Sequence, residues 1–172
     1  MTPERAKTEA MWIRTASTDD LETISAMLTE TWHDTYDHIY GREKVAELTK
    51  AWHSVPALKQ RMNKPRTEFI VCDDGAEISG MAYVSQVDNE TSMLHQLYVR
   101  PSTQGQGIGK KLLIEVEACF PDVRKIRLEV EEANDRAVRF YGENGFRQVG
   151  TTPDCGVKGS GIPAVIMEKV IW

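Results

Sequence analysis

LHQLYVRPSTQGQGIGKKLL, residues 94–113, is the stretch on which the reading of this chain turns. It opens as an apolar strand, Leu94 to Val99, and breaks at Pro101. A loop with glycines at 105, 107 and 109 then runs into an amphipathic helix whose apolar positions are Ile108, Leu112, Leu113 and Val116. Alternate glycines let the backbone approach a ligand closely and leave successive N–H groups uncovered. A helix that starts there adds its own unpaired N–H groups and the positive end of its dipole. The combination is a site for a phosphate or pyrophosphate.

Spacing separates the motifs that could claim this loop. A Walker-type loop needs a glycine five positions before its Gly-Lys pair and a Ser or Thr after it. Here Gln104 stands before Gly109-Lys110 and Lys111 follows, so that motif fails twice. The dinucleotide fingerprint G-x-G-x-x-G is one residue too long for Gly105-x-Gly107-x-Gly109, and no βαβ unit leads into the segment. A tight turn that binds nothing is a poor account of three alternate glycines, each costing about 0.5–1 kcal/mol in chain entropy against Ala. What remains, Gln104-Gly105-Gln106-Gly107-Ile108-Gly109, resembles the Q/R-x-x-G-x-G/A acyl-coenzyme A signature of the GNAT N-acetyltransferase family.

A second segment tests that resemblance. In IRLEVEEANDRAVRFYGENGF, residues 126–146, Ile126, Leu128 and Val130 alternate with charged residues, a strand with one buried face. Asn134 or Asp135 can cap a following helix that Gly142 or Gly145 ends. The stretch is similar to the family's second segment, N-x-x-A-x-x-F-Y followed by G-F, through Asn134, Ala137, Phe140, Tyr141, Gly145 and Phe146. Two segments in the family's order are far more specific than either alone.

The coarse element order fits. Trp12–Ala16 reads as a strand, and a helix capped by Ser17 or Thr18 follows over about 19–31, with Leu21, Ile24, Leu28 and Trp32 on one face. A shorter helix covers 43–52, with a further turn or two over 57–62. Strands at 69–72 and 78–87 flank an Asp-Asp-Gly turn, and a last strand spans 164–171. The resemblance implies an α/β fold with a mostly antiparallel seven-stranded sheet, splayed between its fourth and fifth strands and flanked by helices. Residues 11–172 would form one domain behind a mobile extension, 1–10.

Bulk properties set limits. At 172 residues the chain can bury a full core, and 41% hydrophobic with 27% charged residues is ordinary for a soluble globular protein. No apolar run reaches the ~18 residues a membrane span needs, and the first ten residues lack a signal peptide's apolar centre. Cys72, Cys119 and Cys155 are odd in number and far apart, as expected of reduced cytoplasmic thiols and not of a disulfide framework or metal site. A net charge of −5 argues against a nucleic-acid partner.

The resemblance also implies a chemistry: acetyl transfer from acetyl-CoA to a primary amine, by direct attack in a ternary complex without metal. The cofactor would lie on Leu97, Tyr98 and Val99, on the loop Gln104, Gly105, Gln106, Gly107, Ile108, Gly109 and Lys110, and near Asn134, Ala137 and Tyr141. Tyr141 takes the family's proton-donor position, and a phenol with an ordinary pKa of ~10 is protonated at neutral pH. His95, on the signature strand, is the candidate base, because its ring titrates near neutrality. Glu129 and Glu131 alternate with the core face and are expected to meet solvent. Trp32, Asp34 and Tyr36, at the expected end of the first helix, are the candidate acceptor site for a small-molecule or protein amine, with a cation as the suited charge. A homodimer is the expected assembly. The alternative is a coenzyme A-binding protein of the same fold that no longer catalyses.

Overall fold

The computed structural model describes residues 11–156 and 158–171, so the expected extension at 1–10 lies outside the described residues. Its strands are β1 (Trp12–Thr15), β2 (Thr67–Asp73), β3 (Ile78–Gln86), β4 (Thr91–Val99), β5 (Lys125–Glu131), β6 (Arg147–Thr152) and β7 (Ala164–Val170). Its helices are α1 (Leu21–Tyr40), α2 (Arg42–Trp52), α3 (Val55–Met62), α4 (Ile108–Ala118) and α5 (Asp135–Glu143). The strands form one seven-stranded sheet in the order β1-β2-β3-β4-β5-β7-β6, mostly antiparallel, with β4 and β5 parallel.

The chain divides into two compact units, residues up to Tyr83 with Gln96–Val116, and Val84–His95 with the residues from Glu117 onward. In the first, α1 begins after a single 3-10 turn where the Ser17 N–H donates to the Asp20 carboxylate at 2.8 Å. The expected end near Thr31 is wrong by nine residues. The apolar stripe Leu21, Ile24, Leu28 continues through Trp32 and Tyr36 at the same spacing, and nothing breaks the helix before Gly41, at φ 86°. Leu21, Ile24, Met27 and Leu28 pack with Leu58 of α3 and with Phe69, Val71, Met81 and Tyr83 of the sheet. Trp32, Tyr36 and Val45 form a second cluster with the half-buried Tyr40, Leu48, Trp52 and Tyr98.

The turn or two expected at 57–62 is a helix of eight residues, about two turns, that starts two residues earlier at Val55. Ser54 caps it by accepting from the Ala57 N–H at 3.4 Å, and Pro56 occupies its first turn, where a missing N–H is harmless. In the second unit β5 pairs along its whole length with β7, and β6 pairs with β7 through an irregularity at Gln148–Gly150. Ile126, Leu128 and Val130 are buried, as their alternation predicts.

Candidate active site

The first unit holds the glycine loop. Gly105 and Gly107 have φ of 82° and 79°, a region that L side chains rarely adopt, and a Cβ on either would meet nothing within 4 Å. These glycines are therefore required by backbone conformation and leave open space over the chain. The Lys111 N–H donates to the Gly107 carbonyl at 3.1 Å, and the N–H groups ahead of it have no intrahelical acceptor. Gln104, the first residue of the motif, donates its side-chain amide to the Val99 carbonyl at 3.1 Å and so ties the loop to the end of β4. Gly80 of β3 was not singled out by the sequence. A Cβ there would stand 3.0 Å from both the Tyr98 carbonyl and Leu112 Cδ1, so Gly80 is what lets α4 lie this close to the strands.

β4 changes character along its length. Its ladder with β5 runs from Thr91↔Lys125 to Leu94↔Leu128 and stops, although β4 continues to Val99 and β5 to Glu131. Beyond Leu94 that edge of β4 is outside the ladder with β5. Leu94 and Gln96 are buried, whereas His95 is exposed, with one ring nitrogen 2.7 Å from the Ser85 hydroxyl.

In the second unit, Asn134 caps α5: its side-chain oxygen accepts from the Ala137 N–H at 3.1 Å, which accounts for the N-x-x-A spacing. Tyr141 is buried edge-on between Phe140 and Phe146, with ring centroids 5.2 and 5.5 Å away. Burial, and secondly the charge of Glu131, push its phenol well above the usual range, so it keeps its proton. Glu131 corrects the sequence reading. It is 8% exposed and hydrogen-bonds the thiol of buried Cys155, whose own pKa is pushed up chiefly by burial. Glu129 is half-buried and accepts from the Gly156 N–H at 2.7 Å, so both carboxylates clasp the loop after β6. The Cys155 N–H in turn donates to the Ile162 carbonyl at 2.8 Å, closing that loop on itself. Among the described residues no group of His, Cys, Asp and Glu could hold a metal ion.

The acceptor trio is not brought together. Trp32 and Tyr36 are 2% and 1% exposed inside the aromatic cluster, while Asp34 is exposed on another face of α1. Trp32→Ala should destabilise the fold by about 3–5 kcal/mol. Asp34→Ala, a surface change, should stay within about 0.5 kcal/mol. Denaturant melts of the two variants check this directly, and similar midpoints would contradict the burial described.

Comparison with known proteins gives this geometry its family. The model of the acetyltransferase (GNAT) domain matches residues 36–171. The chain belongs to the GNAT acetyltransferase family. A spermidine N(1)-acetyltransferase from Thermoplasma acidophilum is 28% identical over 141 residues, covering 78% of this chain and 87% of that relative. The N-alpha-acetyltransferase RimI of Mycobacterium tuberculosis is 30% identical over 97 residues, 55% of this chain and 61% of its own. The crystal structure of PaiA N-acetyltransferase from Thermoplasma acidophilum in complex with coenzyme A matches with a TM-score of 0.81 at 27% identity, covering 93% of this chain and 98% of that one. The fold of this chain is thus one that holds coenzyme A in that neighbour.

Proposed function

We propose that this GNAT protein transfers an acetyl group from acetyl-CoA to a primary amine, in a ternary complex without a covalent enzyme intermediate. The observation that carries the reading is the loop at Gly105 and Gly107, open to ligand and set at the start of α4. Its N–H groups from Gly105 to Lys110 suit a pyrophosphate, whereas that of Gln104 already donates to the Pro101 carbonyl at 3.4 Å. The backbone of Leu97, Tyr98 and Val99 suits the amide groups of a pantetheine arm, and Asn134 and Ala137 are the α5 residues assigned to that cofactor. The cosubstrate supplies an activated acyl thioester.

The chain's own residues supply the rest. A backbone N–H of residues 97–99 stabilises the oxygen that gains charge. Tyr141, held protonated, donates to the leaving sulfur. The attacking amine must lose a proton, since an alkylamine resembles Lys with a pKa near ~10.4. His95 is the base proposed here, oriented through Ser85. A second reading is Glu131, the buried carboxylate whose charge already reaches Tyr141.

His95→Gln is expected to lower kcat by about 10²–10⁴-fold, the range for a positioned acid or base, and Glu131→Gln to change it by only a few-fold. The reverse pattern would transfer the role to Glu131. The acetyl donor is tested by mixing the protein with acetyl-CoA and a panel of mono-, di- and polyamines and peptides, reading free thiol and product mass. Coenzyme A binding without amine-dependent thiol release would favour the non-catalytic alternative. The spermidine-acetylating relative makes polyamines the first acceptors to try.

A further inference from the structure

Gln96 is a polar side chain in the apolar part of β4, 8% exposed, one residue before Leu97. Its carboxamide is engaged at both ends. The Arg61 guanidinium donates to Oε1 at 3.2 Å, and Nε2 lies 3.2 Å from His53 Nδ1. Arginine can only donate, so it fixes which end of the amide is oxygen. The NH₂ end must then face His53, and Nδ1 must be the bare, accepting nitrogen. A neutral ring in that position carries its proton on Nε2.

Both ends of the chain are themselves anchored. His53, 2% exposed between α2 and α3, has its carbonyl held by the Ser25 hydroxyl of α1 at 2.5 Å. The Arg61 carbonyl, on α3, accepts from the Tyr83 hydroxyl of β3 at 3.0 Å. The ring stays uncharged: burial first, and the Arg61 charge second, lower its pKa to about 3, against a weaker opposite pull from the Trp52 carbonyl. Tyr98 stands beside this chain, its ring centroid 6.3 Å from that of His53 and 6.4 Å from that of Trp32.

An apolar residue at 96 would fill the same space with no need for two polar partners. Apolar packing, however, does not fix a strand's rotation, whereas directional hydrogen bonds at both ends of the Gln96 carboxamide do, even though the far nitrogen of the ring, His53 Nε2, is buried without a hydrogen-bond partner. Here the need is specific, because the β4–β5 ladder ends at Leu94 and residues 96–99 lack that support. We propose that Arg61, Gln96 and His53 form a positioning relay that takes the ladder's place, holding the backbone of Leu97, Tyr98 and Val99 in the orientation acetyl transfer requires. The role rests on the acetyltransferase reading above; the relay's proton arrangement does not.

The test uses Gln96→Leu and Gln96→Glu in the full chain, with nitrogen NMR of His53 in the wild type. The wild-type ring should show an unprotonated Nδ1 and a protonated Nε2. Gln96→Leu should lower kcat by about 10–100-fold, as expected of a small misplacement near the reacting atoms, with the amine KM nearly unchanged. Gln96→Glu keeps the Arg61 bond and draws a proton onto Nδ1, which restores the second bond with the tautomer reversed and raises the His53 pKa. Its kcat should return to within about threefold of wild type. A well-folded Gln96→Leu protein with wild-type kcat would overturn the relay. So would a wild-type ring protonated on Nδ1 and donating to the Trp52 carbonyl, a result that stands even where Gln96→Leu fails to fold. Absence of thiol release by the wild type with every amine would sink the acetyltransferase reading and leave the tautomer result intact.

Discussion

Tyr141→Phe is expected to lower kcat by about 10²–10⁴-fold, the usual contribution of a positioned proton donor, while folding and coenzyme A affinity change little. The substitution removes one hydroxyl and keeps the ring that packs edge-on against Phe140 and Phe146. A loss confined to kcat therefore isolates the proton from the packing. The pH dependence has a definite sign. Burial and the Glu131 charge hold the phenol above its ordinary pKa, so Tyr141 remains a donor through neutral and mildly alkaline solution. Any loss of kcat on the alkaline side below pH ~10 must come from another group. Steady-state rates from pH 6 to about 10, with calorimetric binding of coenzyme A, check both statements. Turnover near wild type in the Phe variant would reduce Tyr141 to a packing residue.

What the sequence could disclose depended on how far apart the partners lie. The glycine loop, the α4 stripe and the β5 alternation are local patterns, and each stands where its period puts it. The Asn134 cap was legible for the same reason, because donor and acceptor are three residues apart. Ser54 and Pro56 were an equally local signal for α3, one that the apolar periodicity of only eight residues was too short to reinforce. Helical spacing alone separates Asp34 from Trp32 and Tyr36, and reading the three as a helix terminus hid that.

Long-range pairings are another matter. Gln96 meets Arg61 across 35 residues and His53 across 43, and no period links such positions. Glu131 shows the same limit in a different form. Strict alternation sends it to the face of Arg127 and Glu129, where solvent is the natural guess. The loop after β6 returns Cys155 and Gly156 to that face, and the thiol and N–H they bring turn it into a partly covered, polar surface. The glycine loop and the α5 cap are thus written locally, and the contacts of Gln96 and Glu131 non-locally.

Gly107→Glu should abolish coenzyme A binding in a protein that still folds. Two effects act in the same direction. At φ 79° any side chain is strained, and the left-handed region costs a non-glycine residue about 1–2 kcal/mol. That strain acts on the free protein, however, and the space over Gly107 is open, so the loop can relax without disturbing the core. The larger effect falls on the ligand. A carboxylate placed among the N–H groups of residues 105–110 would occupy the proposed anion site from within. It also meets an incoming phosphate with a repulsion of about 4 kcal/mol at 4 Å for an effective dielectric constant of about 20. Affinity should fall by at least about 10²-fold, since each 1.4 kcal/mol is tenfold. Gly107→Ala carries the backbone strain without the charge, so the difference between the two variants reads the electrostatic part alone. That difference should shrink as salt is raised, because the carboxylate stands at an open surface. Equal affinities for coenzyme A in wild type and Gly107→Glu, with an unchanged fold, would mean that the phosphates bind elsewhere and that the loop is only a turn.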